Sequence, residues 1–275
     1  MPTVAYLGPE KTNTHFAARK KFGVKARYLH APTVEDVFRL VEREKADFGV
    51  VPVENSLEGA VAHTLDRFMD FRSSPAKICG EIELPIQHYL ITPRGTRREA
   101  VRVIYSHPQA LAQCRGWLEK NFPRVARQET SSTAEAVEAL LREGAVEPAA
   151  IGRRELAAEH RLQTVPIPID QENRTRFLIL SLKAPKRGKR NKTSLIFALK
   201  DKPGALHDAL VPFKKCGINL TRIESRPTKR KAWEYVFFMD FEGHTSEPRI
   251  QKALKALKQS AEVQVLGSYP LGSGS

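Results

Sequence analysis

Polar side chains collect in five short loops, each next to an apolar, strand-like run of this 275-residue chain. The loops span residues 8–15, 54–56, 106–109, 131–133 and 173–176. In open α/β sheets, ligands bind beyond the carboxyl ends of the strands. Hydroxyls, amides and helix N-termini hold carboxylates without carrying negative charge. The pattern therefore predicts a cleft for a small carboxylated molecule.

Each loop by itself has a simpler interpretation. Ser or Thr before a helix is usually only a cap, and Asn-Ser after a strand is usually a turn. Thr175 could merely begin a strand, and Arg176 could form a structural ion pair. His107 could act as a general acid or only shape a His-Pro turn, and Cys114 is expected to pack inside a helix. The occurrence of all five loops in one chain is what favours a functional site.

Composition limits the class of protein. Three widely spaced cysteines form neither a metal-ligand pattern nor a disulfide framework, so we predict no metal site and a reducing, cytoplasmic setting. No apolar run is long enough to span a membrane, and no secretory signal is visible. The net charge of +14 raises a nucleic-acid interpretation, but the densest basic run, 183–192, has no aromatic residue for base stacking. We interpret that run as a linker and predict no nucleic-acid or membrane partner.

The elements that must position the loops alternate between strands and helices, which predicts an α/β fold. Before the linker, we predict strands at 4–7, 48–53, 77–84, 87–91, 101–105, 149–151 and 175–182, and helices at 14–21, 33–44, 110–121 and 134–142.

After the linker, residues 193–270 predict a smaller unit. Strands are expected at 193–199, 218–226, 233–241 and 262–266, and helices at 203–216 and 247–259. The order is βαββαβ, a ferredoxin-like pattern. Residues 271–275 are expected to form a flexible tail.

In this order and spacing, the motifs resemble those of the prephenate dehydratase family over essentially the whole chain. The motifs are Gly8-Pro9-Glu10 with Thr12 and Thr14-His15, Val51-Pro52-Val53-Glu54-Asn55-Ser56, Ser106-His107-Pro108-Gln109 with Gln113-Cys114, Ser132-Thr133-Ala134 and Asn173-Arg174-Thr175-Arg176-Phe177. The unit after the linker resembles the family's ACT domain, with Gly204-Ala205-Leu206-His207 and Glu224-Ser225-Arg226-Pro227. Because no helical segment precedes Met1, a fused chorismate mutase is not expected.

The first loop departs from the family pattern at two positions. Lys11 stands where the family usually has Gly, and Asn13 stands where it has Phe. Glycine would permit a backbone with positive φ, whereas lysine implies another loop shape or an added cation. The aromatic wall that Phe would supply is lost.

The resemblance implies a two-lobed catalytic region with a periplasmic-binding-protein-like fold, followed by the ACT domain. Lobe one would comprise residues 1–76 and 166–182, and lobe two residues 77–165. The substrate would lie between the lobes and lose carbon dioxide and water to give phenylpyruvate. Because aromatisation makes this step favourable, no cofactor or metal is expected.

The resemblance also assigns roles to residues. Thr175 would be catalytic, by donating a hydrogen bond to the leaving oxygen, and Arg176 would pair with a substrate carboxylate. The substrate-binding set would be Thr12, Asn55, Ser56, Ser106, Gln113, Ser132, Thr133, Asn173 and Arg176. Phenylalanine would bind between two ACT domains of a homodimer or homotetramer, through Gly204, Ala205, Leu206, Asn219, Leu220, Glu224, Ser225 and Arg226. The alternatives are an arogenate dehydratase and, further off, a non-catalytic amino-acid-sensing protein.

Overall fold

The computed structural model describes residues 1–69, 74–142, 147–169, 171–228 and 235–271. The elements of its first part are β1 (Thr3–Leu7), α1 (Asn13–Phe22), β2 (Arg27–Ala31), α2 (Val34–Glu42), β3 (Phe48–Asn55), β4 (Gly59–Ala60), α3 (Ala62–Phe68) and β5 (Lys77–Pro85). Helix α2 buries the apolar side chains of Val34, Val37, Phe38 and Val41 against the sheet, as its helical spacing predicts.

A second lobe follows and the chain then returns to the first. Its elements are β6 (Tyr89–Thr92), a 3₁₀ turn (Arg98–Ala100), β7 (Val103–Ser106), α4 (Pro108–Gln113), α5 (Arg115–Asn121), β8 (Ala126–Glu129), α6 (Thr133–Arg142), β9 (Pro148–Gly152), α7 (Arg154–Glu159) and β10 (Gln163–Pro166), with β11 (Arg174–Ser181) back in lobe one. The lobe-one sheet has the order β2-β1-β3-β11-β5, with β4 beside β3, and the lobe-two sheet has the order β10-β6-β9-β7-β8.

Two predicted boundaries in this region are wrong. Strand β5 pairs along its length with β11, so residues 77–85 belong to lobe one and the chain crosses to lobe two after Pro85. The helix predicted at 110–121 is two helices, because the backbone at Cys114 leaves the helical conformation between α4 and α5. The expected crossing of the chain between two lobes is otherwise present.

The third unit has the predicted βαββαβ order. Its elements are β12 (Asn191–Leu199), α8 (Ala205–Lys215), β13 (Leu220–Pro227), β14 (Tyr235–Glu242), α9 (Pro248–Leu257) and β15 (Ala261–Pro270). The sheet order is β13-β14-β12-β15, so β13 is an edge strand. The predicted strand start at 233 and the tail residues 272–275 lie outside the described residues.

This third unit is packed tightly on lobe one. A Cβ atom at Gly267 of β15 would lie 2.0 Å from the carbonyl oxygen of Ile78 in β5, so only glycine permits this approach. The linker is also shorter than predicted. Strand β12 begins at Asn191, and the Lys192 side chain is buried and lies 2.6 Å from Glu81 of β5 instead of being solvated.

Within the described parts of the chain, no helix is both long enough and apolar enough to cross a membrane.

Candidate active site

A cleft of about 460 Å³ lies where the two lobes face each other. Lobe one contributes the loop before α1, the end of β3 and the start of β11, and lobe two contributes α4 and the start of α6. The carboxyl ends of β1, β3 and β7 lead into these segments, as expected for ligand sites on open sheets. The cleft is large enough for a small molecule.

Asn55 and Thr175 are register partners on adjacent strands at the floor of this cleft. Asn55 Oδ1 accepts hydrogen bonds from the backbone N–H groups of Leu57 (3.0 Å) and Glu58 (3.3 Å). These donors fix the amide orientation, so Nδ2 must face Thr175, and it donates to Thr175 Oγ1 over 2.9 Å. Since the threonine oxygen accepts this bond, its own proton is left to donate to a group in the cleft.

A polar network behind this pair joins the two lobes. Asn55 Nδ2 also donates to Asn173 Oδ1 (2.8 Å), and Asn173 Nδ2 donates to Gln113 Oε1 (2.9 Å). Gln113 Nε2 donates to Glu58 (2.7 Å), and His88 Nε2 lies 2.7 Å from Gln113 Oε1. Because that oxygen is an acceptor, His88 carries its proton on Nε2.

Helix N-termini from opposite lobes point into the cleft. Thr12 caps α1 by accepting from the His15 N–H (3.4 Å), and Ser132 caps α6 by accepting from the Glu135 N–H (3.0 Å). Among the described residues that line the cleft, none is Lys or Arg. An anion there would be held by the partial positive charge of the helix ends and by hydroxyl and amide donors.

The structure gathers most of the predicted substrate residues. The predicted residues that line the cleft are Thr12, Asn55, Gln113, Ser132, Thr133 and Thr175. Asn173 lies behind Asn55 and supports it. Sequence reasoning missed His88 and Glu58, which also line the cleft. A single histidine inside an apolar strand is more often a core residue, and Glu58 follows the recognised Asn-Ser turn.

Burial lowers the pKa of His88, which is well enclosed beside Gln113. An unfolded histidine takes up a proton near pH ~6.5. Below that pH the unfolded chain therefore binds more protons than the folded one, and the free energy of unfolding falls as the pH falls. We expect His88→Gln to make this acid-side loss of stability shallower, as measured by thermal unfolding between pH ~5 and ~8, the range in which histidine titrates. An unchanged slope would contradict the assignment, since His15, whose pKa burial also lowers, remains in both proteins.

Three predicted substrate residues, Ser56, Ser106 and Arg176, do not line the cleft, and the predictions for them are wrong. Ser56 Oγ donates to the carbonyl of Glu172 (2.8 Å) and accepts from the N–H of Arg174 (2.9 Å), so it fastens two loops together. Ser106 is fully buried and donates to the carbonyl of Ile151 (2.8 Å). Both hydroxyls are used inside the fold rather than in the cleft.

The prediction that Arg176 pairs with a substrate carboxylate is also wrong. Side chains alternate along a strand, so Arg176 points to the opposite face from Thr175. Its guanidinium lies 2.7 Å from Glu54, 2.9 Å from Asp240 and 3.4 Å from Glu81. Burial alone would lower the pKa of Arg176, but these three carboxylates together raise it above its ordinary value. The structural ion pair, not the substrate clamp, is the arrangement that the fold adopts.

The two unusual residues of the first loop both reach lobe two. Lys11 has a positive φ of 64°, the conformation that glycine would accept more easily. Its ammonium pairs with Glu159 of α7, and Asn13 Oδ1 accepts from Arg153 (3.3 Å). The guanidinium of Arg153 lies over the Phe16 ring, 5.0 Å from its centre. Lys11 and Asn13 therefore form polar contacts between the lobes, at positions where the family pattern has a glycine and an aromatic residue.

The predicted sensor residues form two separate segments. Gly204 caps α8 with a φ of 77°, and Ala205 and Leu206 begin that helix. The other five lie at or in the edge strand β13: Asn219, Leu220, Glu224, Ser225 and Arg226. One of these five is corrected, because the Arg226 side chain donates to Asp66 of α3 (3.1 Å); Leu220 is only partly buried against the core of the third unit and stays a prediction.

Comparison with known families matches both parts of the chain. The family described as prephenate dehydratase matches residues 4–185, and the family described as ACT domain matches residues 193–259.

Individual proteins are similar over nearly the whole length. The bifunctional chorismate mutase/prephenate dehydratase of Aquifex aeolicus is 49% identical over 271 residues, which cover 97% of this chain and 73% of that protein. The prephenate dehydratase of Methanocaldococcus jannaschii is 38% identical over 245 residues, covering 87% of this chain and 86% of that one. A crystal structure of prephenate dehydratase from Arthrobacter aurescens in complex with L-Phe superposes with a TM-score of 0.87 at 34% identity, covering 97% of this chain and 89% of that one.

Proposed function

The chain belongs to the prephenate dehydratase family, and we propose from this that it converts prephenate to phenylpyruvate, carbon dioxide and water under the control of phenylalanine. The observation that carries the proposal is the bond from Asn55 Nδ2 to Thr175 Oγ1 in the inter-lobe cleft. That bond leaves the threonine proton directed at whatever occupies the cleft.

The reaction needs little from the protein beyond placement and one hydrogen bond. The bond between the ring and its carboxylate breaks, the electron pair moves across the ring, and the bond to the ring hydroxyl breaks on the far side. Aromatisation makes the step favourable. As negative charge develops on the departing oxygen, the Thr175 hydroxyl donates its proton to it, and the oxygen leaves as water. Thr175 then regains a proton from solvent.

The two carboxylates of prephenate must be held while one of them leaves. The capped N-termini of α1 and α6, on opposite lobes, supply donors and partial positive charge for this purpose. Neutral donors hold a carboxylate less firmly than a bidentate arginine would. This arrangement suits a carboxylate that must be released as neutral carbon dioxide.

Replacing Asn55 with Asp tests the orientation of the Thr175 proton. The aspartate has the same shape, but its oxygens accept where Asn55 Nδ2 donates, so the Thr175 hydroxyl would turn and donate to it. We expect kcat to fall by about 10²-fold or more, the usual consequence of losing a positioned donor. Steady-state kinetics would measure it, and Gln251→Glu, the same change from amide to carboxylate at an exposed position of α9, is the control. A kcat within a few-fold of the original chain would contradict this role.

Arogenate is the second candidate substrate, and one observation favours it. Glu58 is the only carboxylate among the described residues that line the cleft, and it would pair with the ammonium group that arogenate has and prephenate lacks. Measuring kcat/KM on both substrates decides between them. A higher value on arogenate makes the chain an arogenate dehydratase, and no turnover of either substrate refutes the proposed function.

Phenylalanine is proposed to bind where ACT domains of two copies meet. The start of α8 follows the end of β12, and β14 lies between β12 and the edge strand β13, so a second copy is the natural source of the missing half of the site. Ile223 and Tyr235 are large apolar residues exposed near this edge, as an interface would require. The homodimer or homotetramer is tested by light scattering with and without phenylalanine. The three free cysteines fit the proposed cytoplasmic setting.

A further inference from the structure

The two catalytic strands have a second, buried side that faces the ACT sheet. Asn55 and Thr175 point into the cleft, whereas their chain neighbours Glu54 and Arg176 point away from it and lie 2.7 Å apart. Any change in how Glu54 and Arg176 pair therefore acts on the same two strands that set the distance from Asn55 to Thr175.

On that buried side, lobe one and the ACT sheet share a charge cluster. It consists of Glu54, Glu81 and Arg176 from lobe one and of Lys192, Arg222 and Asp240 from the ACT sheet. The charges balance as three cations and three carboxylates. Such a cluster is costly to desolvate, so it is sensitive to small changes in partner geometry.

Arg222 is the poorly satisfied member of the charge cluster. Its side chain is 8% exposed, and its Nε lies 3.6 Å from Glu54 Oε1, beyond hydrogen-bond length. Neither Nε nor Nη2 has a hydrogen-bond partner among the described residues. Arg176 already holds the other oxygen of Glu54. Two arginines therefore compete for one carboxylate, and one of them is left short of a partner.

Arg222 lies in the strand that carries the sensor motif. Residues alternate along β13, so Arg222, Glu224 and Arg226 share one face of it. Arg226 on this face donates to Asp66 of α3, so the strand has two arginine contacts with lobe one. A shift of β13 of about 1 Å would bring Arg222 to the ~2.7–2.9 Å typical of a charge-assisted bond with Glu54.

We propose that Arg222 is a positioning residue for the Asn55–Thr175 pair and transmits the state of the ACT domain to it. When an amino acid binds the sensor and moves β13, Arg222 changes its hold on Glu54, Glu54 changes its pairing with Arg176, and the two catalytic strands adjust. The assignment rests on the proposed function for its catalytic readout. Coupling of this kind requires that the ligand prefer one of the two pairings.

The test compares Arg222→Met with Arg222→Lys in the full chain, with Arg249→Met as the control. Arg249 is a half-exposed arginine of the ACT domain that pairs with Glu247, outside the charge cluster. For each protein, kcat and KM for prephenate are measured with and without phenylalanine, and phenylalanine binding is followed by calorimetry. Removing Arg222 leaves the charge cluster with one excess negative charge, but its partner Glu54 is 37% exposed and keeps its bond to Arg176, so the loss of stability should be smaller than for Arg176.

In the original chain and in Arg249→Met, phenylalanine should change kcat/KM by about fivefold or more, the lower range for coupled sites. In Arg222→Met, the change should fall below about twofold while phenylalanine still binds, and Arg222→Lys should recover part of it. An undiminished phenylalanine effect in Arg222→Met would overturn the inference.

A second readout keeps this inference separate from the proposed function. Hydrogen exchange of the backbone in β3 and β11 should respond to phenylalanine in the original chain and not in Arg222→Met. If prephenate is not turned over, the proposed function fails, and exchange alone decides the role of Arg222. The same response in both proteins overturns that role.

Discussion

Replacing Thr175 with alanine will lower kcat by about 10²–10⁴-fold, the range for removing a positioned proton or hydrogen-bond donor. The hydroxyl is the group that Asn55 orients toward the cleft, and no charged donor stands beside it among the residues lining the cleft that the structure describes. KM should change much less, because the leaving oxygen gains negative charge only as the reaction proceeds.

The loss should not come from unfolding. When the Thr175 hydroxyl is removed, Asn55 Nδ2 keeps Asn173 Oδ1 (2.8 Å) and the carbonyl oxygen of Arg174 (3.3 Å) as acceptors, so both of its N–H groups keep a partner and the stability cost should be about 1 kcal/mol. Thr175→Ser keeps the hydroxyl and should keep most of the activity, while Thr175→Val keeps the shape and should lose it. A Thr175→Ala protein with near-normal kcat would exclude Thr175 as the catalytic donor.

Replacing Arg176 with methionine will destabilise the protein by about 3–5 kcal/mol, the cost of leaving buried charges without their partner. Glu81 and Asp240 are almost fully buried beside the guanidinium, and its removal leaves the charge cluster with an excess negative charge. The part of the loss that belongs to Glu54 is smaller, because this carboxylate is 37% exposed. Chemical denaturation of both proteins measures the difference.

This experiment also separates the two interpretations of Arg176. A substrate clamp would raise KM strongly and leave stability nearly unchanged, whereas a structural ion pair gives the opposite pattern. Arg115→Met is a matched control, because Arg115 pairs with Glu119 on an exposed helix surface and should tolerate the change with little effect. A stable Arg176→Met protein with a greatly raised KM would restore the clamp.

The sequence was informative where function depends on residue types in short loops. Thr175, Asn55, Gln113 and Ser132 all line one cleft, although they come from four separate segments. Their loops were recognisable because each follows or precedes an apolar run. The βαββαβ order after residue 190 was equally visible, since hydrophobic periodicity and helix-end signals are local properties.

Strand pairing was harder to predict from the sequence than the order of the elements. Residues 77–85 look the same in sequence whether they begin lobe two or complete lobe one, and only their pairing with β11, nearly a hundred residues later, places them. The break at Cys114 between α4 and α5 has only a weak signal in the sequence, because the nearby Gly116 lies inside α5 and not at the break. His88 lies in a predicted strand, and its role depends on Gln113, which comes from α4.

The direction of each side chain separates what the sequence determined from what the tertiary structure decided. The sequence alone determined the motif Thr175-Arg176 and therefore that the two side chains would point to opposite faces of a strand. It could not say which face would be the cleft, because that depends on where lobe two and the ACT sheet pack. Packing places Thr175 against Asn55 in the cleft and gives Arg176 to Glu54, Glu81 and Asp240. A buried guanidinium is stable only among carboxylates, and those carboxylates come from three distant segments that the fold alone brings together.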